Sequence, residues 1–174
     1  AGLLYVAKRC AAKLEPRLAG WLGHENPVAF LVGDEPRLRY DNPLQTGAGA
    51  LETGTLNVIG IAALGASVSL IRELGVETVH AHVQTYLDAL EAGLRDRGFE
   101  SWRAVNDSAR STLLGARVPT DLRLSELAAA LRARGVICNT PDGLMRFAPH
   151  WPNSVDEVPD VLDAVDDALA ELRG

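Results

Sequence analysis

A chain of 174 residues, 47% hydrophobic and 23% charged, has the size and composition of one ordinary globular domain or two small ones, which excludes a disordered segment. The net charge of −6 comes with no basic stripe and argues against nucleic acid or an anionic membrane as partner. Two cysteines, Cys10 and Cys138, are too few for a disulfide framework and suit a reducing, cytoplasmic setting.

The charge is uneven. Residues 154–174 hold seven acidic residues and one arginine, so everything before Ser154 is neutral overall. The longest apolar run, residues 58–71, is short for a membrane span and carries glycines and serines, so it reads as a buried helix.

In chain order, residues 3–7 predict a short buried strand, and residues 11–22 a weaker helix limited by Pro16. The chain opens on Ala1-Gly2-Leu3-Leu4-Tyr5-Val6 without a methionine or a signal-peptide pattern, and the expectation is a segment of a longer polypeptide. Residues 23–55 show no sustained periodicity. Asn26-Pro27, Glu35-Pro36, Asn42-Pro43 and Gly47-Ala48-Gly49-Ala50 are loop chemistry, and a loop region this long serves function or covers a partner surface.

Residues 56–74 predict a long helix dense in small residues, stopped by Gly75. Val76, Val79, Val83, Tyr86 or Leu87, Leu90 and Leu94 then keep helical spacing up to Gly98. Residues 111–118 read as a strand. Ser125 is placed to cap a helix over residues 126–134, closed by Gly135. Residues 136–139 predict a second strand, 140–143 a turn and 144–148 a third strand. Ser154 with Glu157 reads as a capping box ahead of a last helix striped by Val158, Val161, Leu162, Val165, Leu169 and Leu172, with Pro159 early in it.

Two stretches carry candidate chemistry. Alternation in residues 144–148 puts Leu144, Arg146 and Ala148 on one face and Met145 and Phe147 on the other. A guanidinium there cannot lose its proton and is costly to bury without an anion, supplied either by a protein carboxylate or by a ligand. Leu51-Glu52-Thr53-Gly54-Thr55-Leu56-Asn57 precedes a helix, where free N–H groups and hydroxyls suit a phosphate, although capping by Thr53 or Thr55 is the commoner use. His80 and His82, two apart on a helix, point to different sides, and neither they nor His24 and His150 have ligand-spaced companions, so no metal site is read. Cys138 reads as a small core residue, and Trp151 as an anchor between loop and core.

Taken together, these stretches resemble the C-terminal part of a class V aminotransferase-like enzyme, the fold type I group dependent on pyridoxal phosphate (PLP). Its members include cysteine desulfurases, kynureninases and isopenicillin-epimerase-like proteins. Gly2-Leu3-Leu4-Tyr5-Val6 resembles the strand after the family's cofactor-anchoring lysine. Residues 51–57 resemble its E-x-G-T-x-N helix entry, and Arg134-Gly135-Val136-Ile137 its R-G-I turn. Leu144-Met145-Arg146-Phe147-Ala148-Pro149-His150, with Asn153-Ser154 and Glu157-Val158, resembles its closing block.

The resemblance implies an α/β fold, α+β in the small C-terminal domain. Residues 1–55 would end the PLP-binding large domain, 56–98 would link the domains through long helices, and 99–174 would form a small β-α-β-β-α domain. It implies that Arg146 pairs with a substrate α-carboxylate and that Thr55, with Gly54, contacts the cofactor phosphate across a homodimer. Asn57 and His150 would be neighbours of the site at best. The small-molecule substrate would be an amino acid. Only Lys8 and Lys13 are present, both after the first strand, so the segment alone is expected to be inactive. The loop Thr140-Pro141-Asp142-Gly143 lacks the cysteine that desulfurases carry there. Aminotransferase, lyase and epimerase reactions share this scaffold, and a non-catalytic binding or dimerisation module of the same fold is the second reading.

Overall fold

The computed structural model describes residues 2–15, 17–29 and 41–174. The expectations for Pro16 and Glu35-Pro36 lie outside the described residues. The chain divides into two compact units, Ala1–Leu70 and Ile71–Gly174.

In the first unit, helix α1 (Lys8–Ala11) is a single turn, and short 3-10 turns cover Trp21–Gly23 and Gly47–Leu51. His24 and Leu44 pair as one antiparallel bridge, and Gln45 Nε2 donates to the carbonyls of Leu22 (2.9 Å) and His24 (3.1 Å). The predicted strand over residues 3–7 is irregular and exposed, with Leu3 85% and Tyr5 83% accessible. A strand needs a neighbour to take its N–H and C=O groups, and no described strand lies beside it. The predicted helix over residues 11–22 does not form beyond Ala11 either. Gly20 is required where it stands, since a Cβ there would sit 1.7 Å from the carbonyl oxygen of Thr53. Helix α2 (Val58–Leu74) then begins, and none of its residues is buried.

The second unit is punctuated by Gly75, Gly98 and Gly135 at φ of +85°, +84° and +83°, a region that favours glycine and ends helices. Between the first two runs α3 (Val76–Asp96), which buries Val83, Tyr86, Leu87, Leu90, Glu91, Gly93 and Leu94. Strands β1 (Glu100–Ser101), β2 (Leu114–Arg117) and β3 (Met145–Phe147) form an antiparallel sheet in the order β1-β2-β3. Its register pairs Ser101 with Ala116, Leu114 with Phe147 and Gly115 with Arg146. Leu114, Ala116, Met145 and Phe147 thus face the core together with α3, α4 (Leu124–Ala133) and α5 (Val158–Arg173). Gly93 lets α5 come close: a Cβ on it would lie 2.3 Å from Leu162 Cδ1.

Three local expectations are corrected. Residues 136–139 contribute only a bridge between Asn139 and Arg146, not a strand, because backbone bonds between the two segments form at that pair alone. Helix α4 starts at Leu124 with Arg123 as its uncapped boundary, so Ser125 lies inside the first turn. Ser154 does cap, but locally: its Oγ accepts from Asp156 N in a 3-10 turn over Val155–Glu157, and α5 follows with Pro159 in its first turn, where no N–H is needed. Glu157 does not close a capping box, because its Oε2 accepts from Asn153 Nδ2 at 3.2 Å.

Candidate functional site

Arg146 stands in the middle of β3, with its backbone tied on one side to Asn139 by bonds of 2.7 and 3.3 Å. Its flanking residues Met145 and Phe147 are buried in the core, and the period of two turns Arg146 to the other face. Opposite it in β2 is Gly115, which presents no side chain. The space a Cβ would take there is edged by Leu144 Cδ1 at 3.4 Å and Trp102 Cβ at 3.8 Å. Arg146 is half-buried, its Nε is buried without a hydrogen-bond partner, and no described carboxylate lies within ion-pair distance of it. The Arg103 Nε is buried without a partner in the same way, so the distinguishing feature of Arg146 is its two terminal nitrogens, which reach solvent with no acceptor among the described residues and are open to an external anion.

The chain that follows Arg146 is held rigidly. Asn153 uses every polar group it has: its N–H donates to His150 O at 2.9 Å, its Oδ1 accepts from His150 N at 3.0 Å, its Nδ2 donates to Glu157, and its carbonyl meets His82 Nε2 at 2.7 Å. His82 therefore anchors this loop from α3, a role its sequence surroundings did not signal. Trp151, 39% exposed, stacks edge-on to His150 at 6.5 Å between ring centres.

Thr55 and Gly54 belong to the first unit. Both are exposed, a Cβ on Gly54 would meet nothing within 4 Å, and Thr55 makes no hydrogen bond within the described residues. The cap of α2 is Asn57, whose Oδ1 accepts from Gly60 N at 2.9 Å, so neither Thr53 nor Thr55 is used for capping. That leaves the Thr55 hydroxyl and the Gly54 backbone open, as a bound phosphate oxygen requires.

Cys138 is 9% exposed, and burial, only partly countered by Arg132, pushes its thiol pKa up to about 11. It is a protonated core residue at neutral pH. The loop after it is a 3-10 turn, Pro141–Gly143, with Asp142 at φ +55°. His80 contacts Gln84 while His82 turns to Asn153, and among the described residues no three His, Cys, Asp or Glu side chains converge as a metal site.

One cluster was missed in the sequence. The Arg103 guanidinium, 1% exposed, donates to Asp88 at 2.6 Å, to Glu91 at 2.8 Å and to Gln84 at 2.5 Å. Glu91 also pairs with Arg95 at 2.6 Å. Burial alone would raise the Glu91 pKa, but the Ser101 hydroxyl, Arg103 and Arg95 outweigh it and hold the carboxyl below its usual range. The signal was a polar stripe, Gln84, Asp88, Glu91 and Arg95, at helical spacing beside the apolar stripe of α3. This network braces α3 against β1 and contrasts with Arg146, whose guanidinium has no such partner.

The sequence profile of the aminotransferase class-V family matches residues 2–145. The chain belongs to that family. The match stops one residue short of Arg146. An uncharacterised aminotransferase, YcbU of Bacillus subtilis, is 27% identical over 162 residues, covering 93% of this chain and 40% of that protein. Among solved structures, the cysteine desulfurase CsdA of Escherichia coli superposes with a TM-score of 0.77 at 20% identity over 97% of this chain and 42% of its own. The apo cysteine desulfurase of Thermococcus onnurineus NA1 gives 0.77 at 19% identity, with the same coverage. These likenesses establish the fold. The class-V chain spans about two fifths of the length of these relatives. No described helix is by itself long and apolar enough to cross a membrane.

Proposed function

We propose that this class-V chain is the C-terminal part of a cytoplasmic, homodimeric, PLP-dependent enzyme that processes an amino acid, most simply as an aminotransferase. The observation that carries this is the half-buried Arg146, whose terminal guanidinium nitrogens have no acceptor among the described residues and which no described carboxylate approaches. In this reading Arg146 receives the substrate α-carboxylate through two parallel N–H···O bonds, which fixes the orientation of the α-carbon as well as binding the substrate. Gly115 leaves the room, and Leu144 and Trp102 form its edges.

Thr55 and the Gly54 backbone, unpaired and open, donate to a phosphate oxygen of the cofactor. PLP, when bound, supplies the electron sink for chemistry at the α-carbon. Neither Lys8 nor Lys13 falls where the family motif places the cofactor-anchoring lysine, so turnover requires residues outside this chain. Desulfurase chemistry is disfavoured by the thiol nearest that turn: Cys138 is buried, with its pKa raised to about 11, and no cysteine stands in the turn that follows it.

The test is Arg146→Ala in the full-length enzyme against a panel of amino acids. KM is expected to rise on the order of a hundredfold, as loss of a charge-assisted pair of bonds implies, while the absorbance of the bound cofactor stays unchanged. Arg146→Lys should recover part of the loss, because one point charge replaces a two-point grip. Unaltered kinetics in Arg146→Ala would remove this residue from the site.

A further inference from the structure

A second feature of the second unit goes beyond that reading and does not depend on it. The pairing of β3 with the chain before it ends after a single pair. Arg146 and Asn139 exchange both backbone bonds, and the next pair outward, Ile137 with Ala148, makes none. Where the two segments part, a cleft of about 220 Å³ opens between residues 135–137 and 147–149. Its wall includes Phe147 from the core face of the sheet, opposite to the face that carries Arg146.

The cleft is lined by both apolar side chains and oxygen acceptors. Leu90, Phe147 and Val161 supply the apolar wall. Tyr86 lines it while only 5% exposed, and its hydroxyl has no hydrogen-bond partner among the described residues. The residue is buried but its oxygen still meets solvent, so the phenol is free to accept from a molecule that enters the cleft. At the mouth stands Glu157, whose Oε2 accepts from Asn153 and whose Oε1 is unused. Burial, then the nearby Glu157 charge and Cys138, raise the Tyr86 pKa, which keeps the phenol protonated beside the carboxylate. No Lys, Arg or His lines the cleft, so Glu157 is its one formal charge. A cleft of about 220 Å³ is of a size that suits a small ligand.

We propose that this cleft binds a small organic amine, its protonated nitrogen held by Glu157 and the Tyr86 oxygen and its apolar body laid against Leu90, Phe147 and Val161. An ammonium brings only donors to a place that offers a free carboxylate oxygen, a phenol oxygen and the unpaired carbonyls of Ile137 and Ala148. An anion would meet the Glu157 charge, and a neutral ligand would leave it unpaired.

The experiment uses the full-length protein and N,N-dimethylbenzylamine, a tertiary amine that cannot condense with an aldehyde. Neutral 2-phenylethanol and anionic phenylacetate serve as comparisons. Titration is followed by calorimetry and by the methyl resonance of Ile137. Saturable binding of the amine with movement of that resonance is expected, with the alcohol about tenfold weaker and the anion weaker still. Glu157→Gln, an exposed and isosteric change, should abolish the preference for amine over alcohol, and Tyr86→Phe, which keeps the ring in the core, should weaken the amine several-fold. An Ile137 methyl that does not respond, or an amine preference that survives Glu157→Gln, would overturn the proposal. Because neither comparison touches Arg146, this outcome is independent of the Arg146→Ala kinetics.

Discussion

The two units of this chain use apolar residues in opposite ways. In Ile71–Gly174, side chains from three helices and the sheet close into one core, with Val83, Leu87, Leu114, Leu127, Leu131, Met145 and Val165 fully buried. In Ala1–Leu70, only Gly23 and Ala50 are buried among the described residues, while Val58 and Ile59 in α2 are 70% and 85% exposed. The difference teaches that hydrophobic content does not by itself make a core. α3 concentrates its apolar residues on one stripe that its own unit covers, whereas α2 is apolar on all sides and buries no residue.

The largest expected effect tests whether the second unit also depends on its buried charges. Arg103→Ala leaves Glu91 buried without its main partner and is expected to cost ~3–5 kcal/mol in chemical denaturation. The pH dependence follows from the lowered Glu91 pKa. Its contribution is complete above the unfolded carboxylate value near ~4.3 and is lost as pH falls through the folded value. In Arg103→Ala burial dominates instead, so that acid-sensitive component should vanish.

Next comes the comparison itself. In the 174-residue chain, Leu87→Ala should cost ~2–5 kcal/mol and Ile59→Ala less than about 0.5 kcal/mol. Equal losses would erase the distinction between the units. Thiol chemistry gives a third contrast. With its pKa raised to about 11, Cys138 should alkylate at pH 8 at least about a hundredfold more slowly than denatured Cys138, while exposed Cys10 should react in the native protein as it does in urea. Mass spectrometry of the alkylated peptides reads both. The smallest effect belongs to the α2 cap: Asn57→Ala should cost about 1 kcal/mol locally, seen as roughly fivefold faster amide exchange at Gly60.

What could be read from the sequence followed what was local. Gly75, Gly98 and Gly135 marked real helix ends, because the left-handed conformation is a property of the single residue. The stripes of α3 and α5 were visible because burial repeats with the helical period. Strands were the weak point. Residues 3–7 and 136–139 have strand-like composition, but pairing is decided by a neighbour that composition does not contain. Ser125 and Thr55 have capping chemistry, yet Arg123 bounds one helix and Asn57 caps the other, since the entry angle of the chain selects among adjacent candidates. The face that Arg146 takes in β3 was legible from alternation. The missing partner, the glycine opposite and the cleft on the other face all depend on pairs far apart in sequence.

The hydrogen bonding of Asn153 has a consequence for how this position tolerates change. Its side-chain amide is engaged at both ends, Oδ1 by His150 N and one Nδ2 hydrogen by Glu157, while the bond from His82 goes to the backbone carbonyl and does not depend on the side chain. Aspartate lacks the amide donor that Glu157 receives and would set two carboxylates together. Serine is too short to reach both neighbours, and glutamine would push the amide one carbon past them. A side chain that must accept at one end and donate at the other over this short span has no near synonym. Among twenty letters, this position in the loop after Arg146 reads only one without rewriting the words around it.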